Sequence, residues 1–179
     1  MKILSLSLLL IAVMFQTKAQ TTKILDEAES QSGWSTHGKT NSLTLDFADF
    51  KQGKASLQAE GEGIIRFTKK WDNPINTGIT DVSKGVLSFW YFISDASLIG
   101  NGSVEISSSG KSDLAEYSWT VQSLKLKNGW NQMTLKLSKA GKTDGDVDLS
   151  AINFIRIYHN CTGSVVTKID DIKFSNLDK

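Results

Sequence analysis

Five tryptophans, a handful of acids near both ends of the sequence, and one arginine set between aromatics are the side chains here whose types and spacing could do chemistry. An indole face stacks on the C–H side of a pyranose ring while polar neighbours bond its hydroxyls. Trp119, on a stripe with Tyr117 and Val121 and near Glu116 and Gln122, is a candidate for such a contact, provided that stripe does not face the core. Trp71, followed by Asp72, Asn73 and Pro74, is a second, loop-borne candidate. Trp90 sits in an all-apolar run and reads as buried. In Ile152–Asn160, alternation puts Phe154, Arg156 and Tyr158 on one face and Ile155, Ile157 and His159 on the other. An arginine between aromatics is awkward in a core. The isoleucines are therefore expected inside, with Arg156 and Tyr158 on a polar-aromatic sheet face, where the arginine stem can also cover exposed surface.

Chemistry of other kinds has little to stand on. The sequence carries no H-E-x-x-H, G-x-S-x-G, phosphate loop or G-x-G-x-x-G, and no Cys/His metal spacing. His37 and His159 are isolated, which usually means a surface or capping histidine. Asp144, Asp146 and Asp148 alternate like the start of an EF-hand, but Leu149 and Ile155 stand where its glycine and glutamate belong, so the run reads as a solvated turn. Cys161 has no partner in the chain and is expected as a buried free thiol.

The elements that must position these residues are strands. Period-two alternation runs through Leu43–Phe47, Ala55–Ala59, Val104–Ile106, Tyr117–Val121 and Met133–Leu137. Val86–Ile93 is apolar on both faces except for Ser88 and reads as a central strand. Glycine-rich turns separate these runs, and no stretch has sustained helical spacing. About ten strands at this spacing imply an all-β, two-sheet antiparallel sandwich. Ile169-Asp170-Asp171-Ile172 breaks the alternation, and a bulge at the aspartates would return both isoleucines to the core.

Residues 1–19, with Lys2, an apolar run to Phe15 and a small residue at Ala19, have the layout of a secretory signal peptide. Residues 20–179 read as a single β-sandwich domain. Without Lys2 and Lys18 the basic count falls from 20 to 18 against 19 acids, a net charge of −1. That balance argues against a nucleic-acid partner, and no second apolar stretch could span a membrane. The chain is thus expected to be exported, as a periplasmic, cell-surface or secreted protein.

The order of segments resembles the jelly-roll carbohydrate-binding modules of the galactose-binding-like superfamily. Leu25-Asp26-Glu27-Ala28-Glu29 with Gly33-Trp34 is similar to their opening strand, and Gly53-Lys54-Ala55-Ser56-Leu57 to their second. Leu87-Ser88-Phe89-Trp90 is similar to the central strand, Gly129-Trp130-Asn131 through Leu137 to a later one, and Ile169–Ile172 to the last. The likeness implies that Trp34 and Trp130 are core residues. It also implies a structural calcium between the first and last strands, held by Asp26 or Glu29, carbonyls near Lys51–Lys54, and Asp171. The function it implies is that of a non-catalytic module binding polysaccharide or oligosaccharide, here through Trp119, Tyr117, Arg156, Tyr158 and Trp71. A structural or adhesive sandwich with a protein partner is the alternative, and a small jelly-roll hydrolase or lyase comes third.

Overall fold

The computed structural model describes residues 22–37 and 42–177, so the segment read as a leader lies outside the described residues. Among the described residues ten strands run in order: β1 (Thr22–Asp26), β2 (Trp34–Ser35), β3 (Ser42–Asp46), β4 (Ser56–Ile75), β5 (Gly85–Ile93), β6 (Ile99–Ser107), β7 (Glu116–Thr120), β8 (Gly129–Lys136), β9 (Gly141–Lys142) and β10 (Ile152–Asn176). Every pairing is antiparallel. Among the described residues no helix is long and apolar enough to cross a membrane.

Two strands are far longer than the rest. β4 and β10 pair from Ile152 opposite Ile75 to Ile169 opposite Leu57, and the register slips between Cys161 and Val165, opposite Gly63 and Gly61. That slip divides both strands between two layers. In the first layer the C-terminal half of β10 pairs with β1 and β5, β8 continues from β5, and β3 flanks β4. In the second, the N-terminal half of β10 pairs with β6, which leads to β7 and β9, while β2 flanks β4. The architecture is the two-sheet jelly roll that the strand pattern implies.

The core lies between the layers and follows the alternation. Leu57, Phe67, Leu87, Phe89, Tyr91, Ile106, Ile155, Ile157 and Phe174 are all withdrawn from water. Each such side chain contributes roughly 1.5–3 kcal/mol by leaving water. The expected bulge is present. The β10–β5 register shifts between Asp170 and Lys173, Asp171 takes a left-handed backbone at φ 51°, and Ile169 and Ile172 both reach the core. β6 can lie against β10 only because residue 102 is a glycine, since a Cβ there would meet the Tyr158 carbonyl at 2.1 Å.

One polar group lies inside where the sequence suggests a surface residue. His159 is fully buried rather than exposed or capping, because its place on β10 alternates with Tyr158 and so shares the inward face with Ile157. Its Nδ1 shares a 2.6 Å hydrogen bond with the Tyr91 hydroxyl, and its Nε2 has no partner among the described residues. Burial lowers the imidazole pKa to about 4. Cys161 is buried, as expected, and burial pushes its thiol pKa up to about 11.

A base held below its ordinary value of 6.5 favours the folded state while it is neutral. Its contribution is complete above about pH 6.5 and is lost as the pH falls through about 4, at a full cost on the order of 3 kcal/mol. Thermal melts across that window should fall less steeply for the Tyr91→Phe/His159→Leu double variant than for the wild type. Parallel curves would assign the acid sensitivity to carboxylates instead.

Candidate ligand-binding groove

The sequence candidates separate into three places. Trp119 and Tyr117, on β7, point into the sandwich and are 7% and 3% exposed. The Trp119 indole N–H donates to the Lys136 carbonyl at 3.1 Å, which ties β7 to the end of β8. The stripe on β7 faces the core, so these two rings form no ligand surface. The physical reason is register: Val104 and Ile106 on β6 point inward, and Trp119 and Tyr117 are their direct partners.

Arg156 and Tyr158 lie on the outer face of the second layer, with Ile155 and Ile157 turned inward as expected. The guanidinium bonds the nearly buried Glu105 carboxylate, stands 3.8 Å from Asp113, and lies 4.9 Å above the Tyr158 ring. Burial works against the Arg156 charge, yet its hydrogen bond with Glu105 and the charges of Glu105 and Asp113 hold its pKa above the ordinary value. Glu116, also buried on this face, is raised by its burial. The result is a fixed cation, a fixed anion and a half-exposed phenol on one sheet.

Trp71 borders an open groove of about 590 Å³ over the β2–β4 edge of that same layer. Lys69, Lys70, Asp72, Asn73 and Asp26 share its walls. Asp26 organises one side. Its Oδ1 accepts the Ala28 backbone N–H at 2.8 Å and the Trp34 indole N–H at 3.2 Å, while its Oδ2 takes the Lys69 ammonium at 2.6 Å. Lys69 in turn lies over both Trp34 and Trp71, 5.4 and 5.9 Å from the ring centroids. Trp34 itself is buried, as its motif implies. A half-exposed indole is thus steadied by a cation and surrounded by carboxylate, ammonium and amide groups.

Two other tryptophans depart from expectation. Trp90 and Trp130 are half-buried on the outer face of the first layer, not in the core. β5 places Leu87, Phe89, Tyr91 and Ile93 inward, so Ser88, Trp90 and Phe92 face out, and Ser88 was the one sequence signal of that orientation. The loop after β3 packs over them. The Trp130 N–H donates to Asp49 at 2.8 Å, Lys51 lies over both indoles, and Lys168 sits over Phe92 while bonding Asp46 and Asp49 at 2.7 Å each. Asp170, fully buried, accepts the backbone N–H groups of Lys51 and Gln52 at 2.6 and 3.0 Å, and its burial raises its pKa.

The acids expected at a calcium do not assemble one. Asp26 is occupied by its three donors in the Trp71 groove. Glu29 accepts the Lys54 backbone N–H at 2.6 Å, and Asp171 is bonded by Lys173. Calcium needs six to eight oxygens, and among the described residues no three His, Cys, Asp or Glu side chains converge on one point. Their side chains alone do not complete a calcium's ligand set. Asp144, Asp146 and Asp148 are exposed, and Asp148 serves the turn by accepting the Ser150 N–H at 2.8 Å.

No family model matches the chain, and neither does any curated protein. Solved structures do. The family 11 carbohydrate-binding module of a cellulosomal cellulase of Clostridium thermocellum is similar over 89% of this chain and 97% of its own, with a TM-score of 0.60 at 14% identity. The same organism's family 11 module in complex with a β-1,3-1,4-mixed-linked tetrasaccharide covers 86% of this chain and 94% of its own, with a TM-score of 0.58 at 15% identity. A family 30 carbohydrate-binding module covers 80% and 91%, with a TM-score of 0.60 at 12% identity. At these identities the likeness is one of fold.

The buried placement of Trp119 has a direct consequence. Trp119→Ala should destabilise the domain by about 3–5 kcal/mol, the cost of emptying a packed aromatic site. Denaturant unfolding checks this, and a loss below about 1 kcal/mol would put the ring outside the core.

Proposed function

We propose that this chain is an exported, non-catalytic carbohydrate-binding domain that takes a polysaccharide or oligosaccharide along the Trp71 groove. The observation that carries the reading is the half-exposed Trp71 indole in an open groove whose other walls are polar. Pyranose rings present apolar C–H faces and hydroxyl edges together, and that groove offers a partner to each. The Arg156–Tyr158 face belongs to the same layer but to its other side, since Lys69 pairs with inward Ile155 and Thr68 with Arg156, so it is a separate polar-aromatic surface. The fold is one that carbohydrate-binding modules use, including a module held with a mixed-linked tetrasaccharide.

The non-catalytic reading rests on the sequence, which carries no catalytic motif. Asp26 is fixed by Lys69 and two N–H donors, and Glu105 is committed to Arg156. Carboxylates so engaged are fixed hydrogen-bond acceptors. Export rests on the leader pattern of residues 1–19.

Binding of mixed-linked β-glucan oligosaccharides, followed by calorimetry, tests the reading. Trp71→Ala should weaken binding roughly 5- to 150-fold, by analogy with the 1–3 kcal/mol of base stacking on aromatics. Its melting midpoint should also fall, because the ring packs against the core, so affinity is compared per folded molecule. Tyr158→Ala, on the other side of that layer, should leave binding in the groove unchanged. If a broad glycan panel finds no binder, the carbohydrate reading fails. If Trp71→Ala binds like the wild type, the groove is not the site.

A further inference from the structure

A lysine ammonium rides on a long, flexible stem, so one that keeps a single place needs a partner to hold it there. Lys69 and Trp71, two apart on β4, share a side, and Trp34 on β2 is the direct cross-strand partner of Lys69. The ammonium therefore stands over both indoles. Gly33 makes room for it, since the backbone there is at φ 75° and a Cβ would meet the Lys69 Cε at 3.3 Å. What fixes the ammonium lies on another strand. Asp26, at the end of β1, takes it on Oδ2 at 2.6 Å, and both side chains are only 14% exposed, so the attraction is less screened than at an open surface. Asp26 is held in turn. Its Oδ1 accepts the Ala28 and Trp34 N–H groups, and Ala28 is fully buried with a left-handed backbone at φ 57°.

We infer, on the carbohydrate reading of this groove, that Asp26 is a positioning residue: it sets the Trp71 ring from the first strand, through Lys69, without meeting the glycan itself. Both of its oxygens are engaged by the protein, so its effect reaches the ligand only by way of the ammonium. With the carboxylate charge in place, Lys69 stays over Trp34 and Trp71 and the half-exposed indole keeps one orientation. With that charge removed, the ammonium turns to water, the ring gains freedom, and each binding event has to order it again. The opening strand and the ligand site are thereby coupled through one ion pair.

Fluorine NMR of the full chain carrying 5-fluorotryptophan tests the positioning without any sugar. The resonance lost in Trp71→Phe is that of Trp71. In Asp26→Asn, which keeps an acceptor for Ala28 and Trp34 but removes the charge, the Trp71 resonance should move and broaden. Lys69→Met should do the same, and joining the two substitutions should add little, because the residues act as one unit. Calorimetry with mixed-linked β-glucan oligosaccharides, compared per folded molecule, should show Asp26→Asn binding roughly 2- to 10-fold more weakly. Lys69→Arg, which keeps a cation over the rings, should bind close to the wild type. An unmoved Trp71 resonance in Asp26→Asn overturns the inference, as does wild-type affinity in that variant. If no glycan binds the wild type, the carbohydrate reading fails and the fluorine spectra alone decide the positioning. Should Asp26→Asn fail to fold, Lys69→Met decides by the same two measurements.

Discussion

The pairing of β4 with β10 is the constraint on which the rest of this molecule depends. These two strands run through both layers, and nearly every other strand is hydrogen-bonded to one of them or to a neighbour of one. Their shared slip at Gly61–Gly63 and Cys161–Val165 turns what would be one sheet into two facing ones. Long-range antiparallel pairing is costly in chain entropy before it is rewarded. Here the reward is the core itself, since Leu57, Ile65 and Phe67 from β4 meet Ile155, Ile157 and Ile169 from β10 there. The candidate groove and the Arg156–Tyr158 face are both built on the second-layer halves of these strands.

Lysines over aromatic rings recur through the polar surface. Lys69 bridges Trp34 and Trp71, Lys51 lies over Trp90 and Trp130, and Lys168 covers Phe92. Lys69 and Lys168 also meet carboxylates, so each links a sheet to a segment outside it: Asp26 at the end of β1, and Asp46 and Asp49 around the loop after β3. Exposed ion pairs alone contribute little, but a cation over a partly desolvated ring adds to them. At the first layer this arrangement holds a loop down over two indoles. At the Trp71 groove it leaves a ring half-open. The same contact thus closes one face and furnishes the other.

The bulge at Asp170–Asp171 is a second structural device. In a regular strand the two aspartates would face opposite ways, one of them into the core. The left-handed Asp171 sends Asp170 to the loop backbone at Lys51 and Gln52, and Asp171 itself to Lys173, two residues further along β10. One irregularity therefore secures the loop and borders a cavity beside the chain's opening strand, while Ile169 and Ile172 stay buried.

Much of this was legible in the sequence, because strand alternation and turn glycines act locally. The all-β class, the bulge, the buried lone thiol and the outward turn of Arg156 and Tyr158 each come from period two within a few residues. What alternation cannot state is which of a strand's two faces another segment will cover. That choice put Trp119 and Tyr117 inside, because their β6 partners Val104 and Ile106 point inward. It also placed Trp90 and Trp130 outside, under a loop that makes an outer face look like a core in the sequence. Asp26 meets Lys69 across 43 residues of chain and Lys168 meets Asp46 across 122. Pairings at such separations are set by the register of β4 and β10 and the path of the loops, so only the tertiary structure could turn acids expected at a metal into partners of lysines.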